Sequence, residues 1–246
     1  MGPLEIALIA VAILIGIVGI FALITSIYLS IKYTRFNRKN NSAGLTGEEA
    51  ARILLDKNGL SDIKVKVTGS VLFGNSYSHY FKKVRLRRFT RHKTSVTALA
   101  MGAEKTALAV LDKEGDPDMQ KRIRLVPLIT FGPFAFIPLL IVGVLVDILL
   151  LNSTGVFTLI VCGLSVLFYV LSLVLSISTL KTEKKAQERA CELLLENGMA
   201  TYEEIWDMKE LYKLYNIQYV NDIIISALEL IYRIIELALE FASDKD

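Results

Sequence analysis

Between Glu5 and Lys32 the chain runs for 26 residues, Ile6 to Ile31, without a charged side chain. As a helix such a run is about 39 Å long, more than the roughly 30 Å of hydrocarbon in a bilayer. It predicts a transmembrane helix over residues 1–35. A cleaved signal peptide fits less well: no Lys or Arg precedes the run, and signal-peptide cores are only about 7–15 residues long. A second stretch, residues 125–180, holds one charge, Asp147, and carries the turn signal Asn152-Ser153-Thr154-Gly155 in its middle. It reads as a helical membrane hairpin, Val126 to Leu151 and Val156 to Leu180, with Pro133 and Pro138 delaying or kinking the first arm. With 53% apolar residues and a mean hydropathy of +0.47, the expected fold class is a mainly α multi-pass membrane protein. Cys162 and Cys191 are too few for a disulfide framework and read as inert thiols.

Charge divides the remainder. Residues 32–124 carry 20 Lys and Arg against 9 Asp and Glu, a net +11, and residues 181–246 carry 8 against 14, a net −6. Lys32, Arg35, Arg38 and Lys39 follow the first span; Lys121, Arg122 and Arg124 precede the hairpin; Lys181, Lys184 and Lys185 follow it. The positive-inside rule places all three clusters in the cytoplasm, with the N-terminus and the Asn152 turn outside. The chain then comprises a span at 1–35, a cytoplasmic α+β part at 36–124, the hairpin at 125–180, and a cytoplasmic or interfacial helical part at 181–246. The two pieces of opposite charge are expected to face one another.

Local signals fill in the cytoplasmic parts. Thr46 and Glu49 form a capping box that opens a helix, with Ala50, Ile53 and Leu54 on its apolar face and Asn58-Gly59 at its end. Ile63, Val65 and Val67 alternate with lysines as a strand, and Val84 and Leu86 alternate with Lys83, Arg85 and Arg87 as a second. Ser95 to Leu111, rich in Ala, Leu and Met, reads as a helix with a largely apolar surface interrupted at Glu104, Lys105 and Thr106. From Asn221 to Phe241 the residues Asp222, Ser226, Glu229, Arg233, Glu236 and Glu240 form one narrow polar stripe on an otherwise apolar helix, with Glu229 and Arg233 as an i, i+4 pair. Such a helix rests at the membrane interface, packs on the hairpin or a partner, or enters the membrane itself.

Several segments resemble, in order, the bacterial membrane-bound neutral zinc metallopeptidase family. They are Ser42-Ala43-Gly44-Leu45-Thr46-Gly47-Glu48-Glu49-Ala50-Ala51-Arg52, Leu55-Asp56-Lys57-Asn58-Gly59-Leu60, Val84-Arg85-Leu86, Ser95-Val96-Thr97-Ala98-Leu99-Ala100, the membrane hairpin, Gln187-Glu188-Arg189-Ala190, and the late helix from Tyr219-Val220 to Glu229-Leu230. The resemblance implies a zincin-like cytoplasmic part with a small basic-edged sheet, Val84-Arg85-Leu86 being its edge strand. It also implies a metal helix carrying H-E-x-G-H, whose two histidines bind zinc and whose glutamate acts as general base. This chain instead reads Ala103-Glu104-Lys105-Thr106-Ala107. On the resemblance, Glu104 keeps a vestigial general-base position, Ala103 and Ala107 replace both imidazoles, and Glu183 keeps the third-ligand position.

A catalytic zinc normally takes three protein ligands and a water, and two carboxylates fall short. His79 and His92, the only histidines, read as solvated loop residues. The expectation is a catalytically inactive metallopeptidase-like membrane protein, with no cofactor, acting as a protein-binding scaffold or regulator in the cytoplasmic membrane with a membrane-protein partner or a second copy. The alternative is an active zinc peptidase with non-standard ligands. Two facing carboxylates call for a positive charge, for which Lys105 and Lys185 are the candidates, although lysines usually point to solvent. The basic run Lys82, Lys83, Arg85, Arg87, Arg88, Arg91 and Lys93 reads as a patch for anionic lipid headgroups rather than nucleic acid. Its strand could also take a peptide by strand addition.

Overall fold

A computed structural model of the chain describes residues 2–68, 74–125, 141–143, 145–151 and 156–243. It divides into two units, one of Met1–Asp116 with Glu183–Asp246 and one of Pro117–Thr182. The first holds α1 (Pro3–Arg38), α2 (Gly47–Lys57), β1 (Lys64–Val67), β2 (Ser76–Ser78), β3 (Lys83–Leu86), α3 (Arg88–His92) and α4 (Val96–Lys113). It also holds the last turns of α5 (Val156–Glu196) and all of α6 (Tyr202–Ser243).

α4 is the centre of the first unit. Ser95 caps it, its Oγ accepting from the Ala98 N–H at 3.1 Å. Every residue from Val96 to Leu111 except Lys105 is buried, and a helix buried on all sides must be surrounded by other elements. Its small residues let those elements come close. A Cβ added to Gly102 would lie 2.5 Å from the Gly47 carbonyl oxygen, and one added to Gly47 would lie 2.3 Å from the Thr90 carbonyl oxygen. The first turn of α2, α3 and the middle of α4 therefore meet backbone to backbone. α2 begins with the expected capping box: Thr46 Oγ1 accepts from the Glu49 N–H, and the Glu49 carboxylate accepts from the Thr46 N–H. It ends at Asn58, and Gly59 takes the left-handed conformation at φ +65° that the turn needs.

The sheet order is β1-β3-β2, with β3 parallel to β1 and antiparallel to β2. The basic strand is therefore central, which corrects its expected place at the edge. The missing neighbour is Ser76-Tyr77-Ser78, three residues too short and too polar to give an alternating signal. Val84 and Leu86 are fully buried, as a central strand requires. The sheet keeps a basic edge in β1, through Lys64 and Lys66.

α6 runs antiparallel along α1. Lys39, near the end of α1, pairs with Glu203 and Asp207 at 2.7 and 2.8 Å; Lys32 pairs with Glu210 at 2.7 Å; Phe21 shares a groove with Ile217 and Ile224. The polar-striped tail is the distal half of this longer helix. It begins at Tyr202, with Thr201 and Glu204 as a second capping box. The expected Glu229–Arg233 pair is replaced by Arg233 to Glu236 at 3.2 Å.

Among the described residues two helices, Pro3–Arg38 and Val166–Glu196, are long and apolar enough to cross a membrane. In the second unit Asp147–Leu151 form a π turn, and the Asp147 carboxylate accepts from the Phe157 N–H at 3.1 Å. Most of the expected first hairpin arm and the Asn152 turn lie outside the described residues. Gly102→Ala is expected to destabilise the protein by about 1–3 kcal/mol through overpacking against Gly47, read as a lowered thermal unfolding midpoint in detergent.

Candidate functional site

Glu104 sits in the middle of α4 with 5% of its surface exposed. Its Oε2 is 3.0 Å from Lys105 Nζ, which is also 3.0 Å from Oε2 of Glu183 on α5. Gln187, one turn further along α5, donates from Nε2 to Glu104 Oε1 at 2.9 Å. Asn216 on α6 in turn donates to the Gln187 carbonyl oxygen at 2.7 Å. Nearby, the Tyr212 hydroxyl donates to the Ala100 carbonyl oxygen at 2.7 Å. Three helices thus converge on one buried carboxylate.

Lys105 follows Glu104 directly, about 100° further around the helix, and its long side chain reaches back to lie 3.0 Å from both acids. Glu183 and Gln187 are four apart and present their side chains on one face of α5. Burial is the largest influence on Glu104 and raises its carboxyl above the ordinary value of 4.5, and Glu183 adds to the rise. Lys105 and the Gln187 hydrogen bond oppose it. Lys185 does not join this group: its Nζ lies 2.9 Å from Asp116. Ala103 and Ala107 are fully buried and offer no donor atom.

The other sequence candidates lie elsewhere. Arg91 makes a two-pronged ion pair with Glu48, and Lys82 pairs with Asp62 at 2.9 Å. Two members of the basic run are therefore engaged within the protein. Lys83 and Arg85 lie over the ring of Phe81, at 4.5 and 5.8 Å from its centroid. His92 ends α3 and is exposed. His79, however, is more than a solvated loop residue. Its Nδ1 is 2.6 Å from Asp112 Oδ2, which also accepts from the Tyr77 hydroxyl at 2.6 Å. Burial, reinforced by Asp112, raises the Tyr77 hydroxyl well above its ordinary value. No local spacing marks this cluster, because it needs β2 laid beside the end of α4. Gln187 and Asn216 were missed as well, since a lone amide carries no spacing signature.

The first unit defines an α+β protein built around a buried, helix-borne glutamate and accompanied by apolar helices of membrane-crossing length. Residues 11–238 match the family described as "Putative neutral zinc metallopeptidase". The chain belongs to that family, and is a membrane-associated, metallopeptidase-like protein. It is 24% identical over 199 residues to "Putative membrane protease YugP" of Bacillus subtilis (strain 168), an alignment covering 81% of this chain and 84% of that protein. No solved structure matches the chain.

The family implies zinc, and the donor set here does not fit it. Among the described residues no group of three His, Cys, Asp or Glu could hold a metal. The two carboxylates nearest to a site already share an ammonium, and a second cation beside it would be repelled. Lys105→Met is expected to cost about 3–5 kcal/mol by leaving buried carboxylate charge uncompensated, whereas replacing Glu104, Lys105 and Glu183 together by apolar residues of similar volume costs far less. Thermal unfolding of the two variants checks this. The pH dependence has a definite sign. Because the native carboxyl of Glu104 is raised, the folded state binds its proton more tightly than the unfolded chain does. Stability from this group is complete below about pH 4 and declines as pH rises through and beyond the ordinary carboxyl value. Glu104→Gln is expected to flatten that decline in midpoints measured from about pH 4 to 7.

Proposed function

We propose that this protein is a membrane-anchored, catalytically silent member of its family that keeps the metallopeptidase shape to bind another protein. The observation that carries the reading is the Lys105 ammonium, 3.0 Å from both Glu104 and Glu183. Metal-assisted hydrolysis needs a bound water acidified toward neutrality, and a glutamate alone does not provide that. Here both oxygens of the glutamate are committed, one to the Lys105 ammonium and one to the Gln187 amide. The ion pair thus serves as structure.

Support for a partner surface comes from the sheet side of the first unit. Tyr80 and Phe81, in the turn between β2 and β3, and Phe89 on α3 are all exposed. Exposed aromatic rings set among Lys83, Arg85, Arg87, Arg88 and Lys93 suit contact with an acidic partner surface or anionic headgroups. Strand addition, if used, would fall to the outer edges of β1 or β2, since β3 is paired on both sides. The N-terminal span, the hairpin, and a cytoplasmic setting for residues 36–124 and 181–246 belong to the same proposal.

The test is metal content and turnover together. Protein purified in mild detergent without chelators is expected to hold well under one zinc per chain, and to cleave an unfolded casein substrate no faster than its Glu104→Gln variant. One tightly bound zinc per chain, lost on Glu104→Gln or Glu183→Gln, or casein cleavage abolished by either change, overturns the reading in favour of an active peptidase with non-standard ligands.

A further inference from the structure

A groove of about 670 Å³ opens between the last turns of α5, the middle of α6 and α1. Its composition changes along its length. Lys209 and Lys213 on α6 stand at one end, with Glu188 as the acidic residue beside them, and Lys184 on α5, one turn before the Gln187 that meets Asn216, stands further along; all three lysines are exposed. Phe21, Ile217, Val220 and Ile224 form the other end. Among the described residues none of the three lysines makes an ion pair.

The gradient runs in register with α1. Glu210, beside Lys209, pairs with Lys32, the first charge after the 26-residue apolar run. The lysine end is thus level with the edge of that run. Phe21 lies eleven residues deeper in it, and Ile224 lies the same number of residues beyond Lys213. Eleven residues of helix span about 16 Å, half of a roughly 30 Å hydrocarbon layer. Along α6 and α1 the groove therefore passes from cationic to apolar over the depth of one leaflet, with Lys184 facing that passage from α5.

A second observation points inward. Asn221 is 3% exposed and lines the groove, yet among the described residues its side-chain Nδ2 has no hydrogen-bond partner. A buried amide donor left unpaired costs about 1–3 kcal/mol. It sits between the lysine end and Ile224, where a ligand must bring an acceptor oxygen below a negative charge and above a hydrocarbon chain.

The geometry points to a binding site for one anionic phospholipid, its phosphate held at Lys213 with Lys209 and Lys184 reaching it from either side, an ester carbonyl accepting from Asn221, and an acyl chain along Phe21, Ile217, Val220 and Ile224. The inference rests on α1 entering the membrane and is independent of whether the protein has catalytic activity.

The experiment is native mass spectrometry of the full chain in mild detergent, with phosphatidylglycerol, phosphatidylcholine or sn-glycerol 3-phosphate added, alongside thermal unfolding. One phosphatidylglycerol is expected to remain bound per chain, with at least tenfold weaker retention of phosphatidylcholine and of the Lys184→Gln, Lys209→Gln, Lys213→Gln triple variant. Asn221→Leu is expected to unfold at or above the parent midpoint without lipid, since an unpaired donor is removed, and to lose the upward shift that phosphatidylglycerol gives the parent. A variant of Lys83, Arg85 and Arg88 to Gln retains the lipid. Equal retention by the triple lysine variant, equal binding of phosphatidylcholine, or full competition by glycerol 3-phosphate, which marks a free-phosphate site, each overturns the assignment.

Discussion

A carboxylate charge buried in the centre of a helix bundle has to be compensated, and the placement of three helices follows from how this protein does it. Glu104 lies on α4, which packs against α1, α2, α3, β2, β3 and α6. Its two oxygens are divided between Lys105, from its own helix, and Gln187, from α5. Through Lys105 the charge reaches Glu183, and through Gln187 it reaches Asn216 on α6. The angle of α5 to α4 is thus defined by two polar contacts one helical turn apart. A pair of apolar contacts would define it less sharply, because dispersion is non-directional and hydrogen bonds are not.

Close packing complements this polar pinning. Gly47 and Gly102 bring α2 against α4 at backbone distance, while the Ala-rich surface of α4 leaves few side chains to fill the gap. On the far side, α1 and α6 are joined by lysine–carboxylate pairs at their charged ends and by apolar contact beyond. The opposite net charges of the two sequence pieces are here resolved into particular pairs: Lys39 with Glu203 and Asp207, Lys32 with Glu210, Arg189 with Glu114, and Lys185 with Asp116. Those that are exposed contribute little individually. Their value lies in alignment of the elements.

Much of this was legible because the signals were local. The capping box at Thr46, the cap at Ser95 and the lysine–valine alternation of β1 each depend on residues a few positions apart. The position of Glu104 relative to Glu183 came from the order of segments resembling a known family. What escaped were features made only by tertiary contact. β2 has three residues and no apolar alternation, so no pattern marks the sheet's true edge, and the family resemblance places β3 there instead. The start of α6 was hidden because Tyr202 to Asn216 mixes charge and apolar side chains evenly, and only the distal stripe stood out. The choice between Lys105 and Lys185 required knowing that Asp116 lies beside the second and not the first.

Gln187 has two neighbours of very different character. One side of its amide holds the Glu104 carboxylate, and its side chain also forms part of the groove wall. The buried charge is therefore insulated from the groove by a single amide layer. Since Coulomb energies scale inversely with the dielectric around them, the medium in that groove, water or hydrocarbon, enters directly into how strongly Lys105 and Glu104 attract. The electrical environment of this buried charge is set from outside, across the thickness of one side chain.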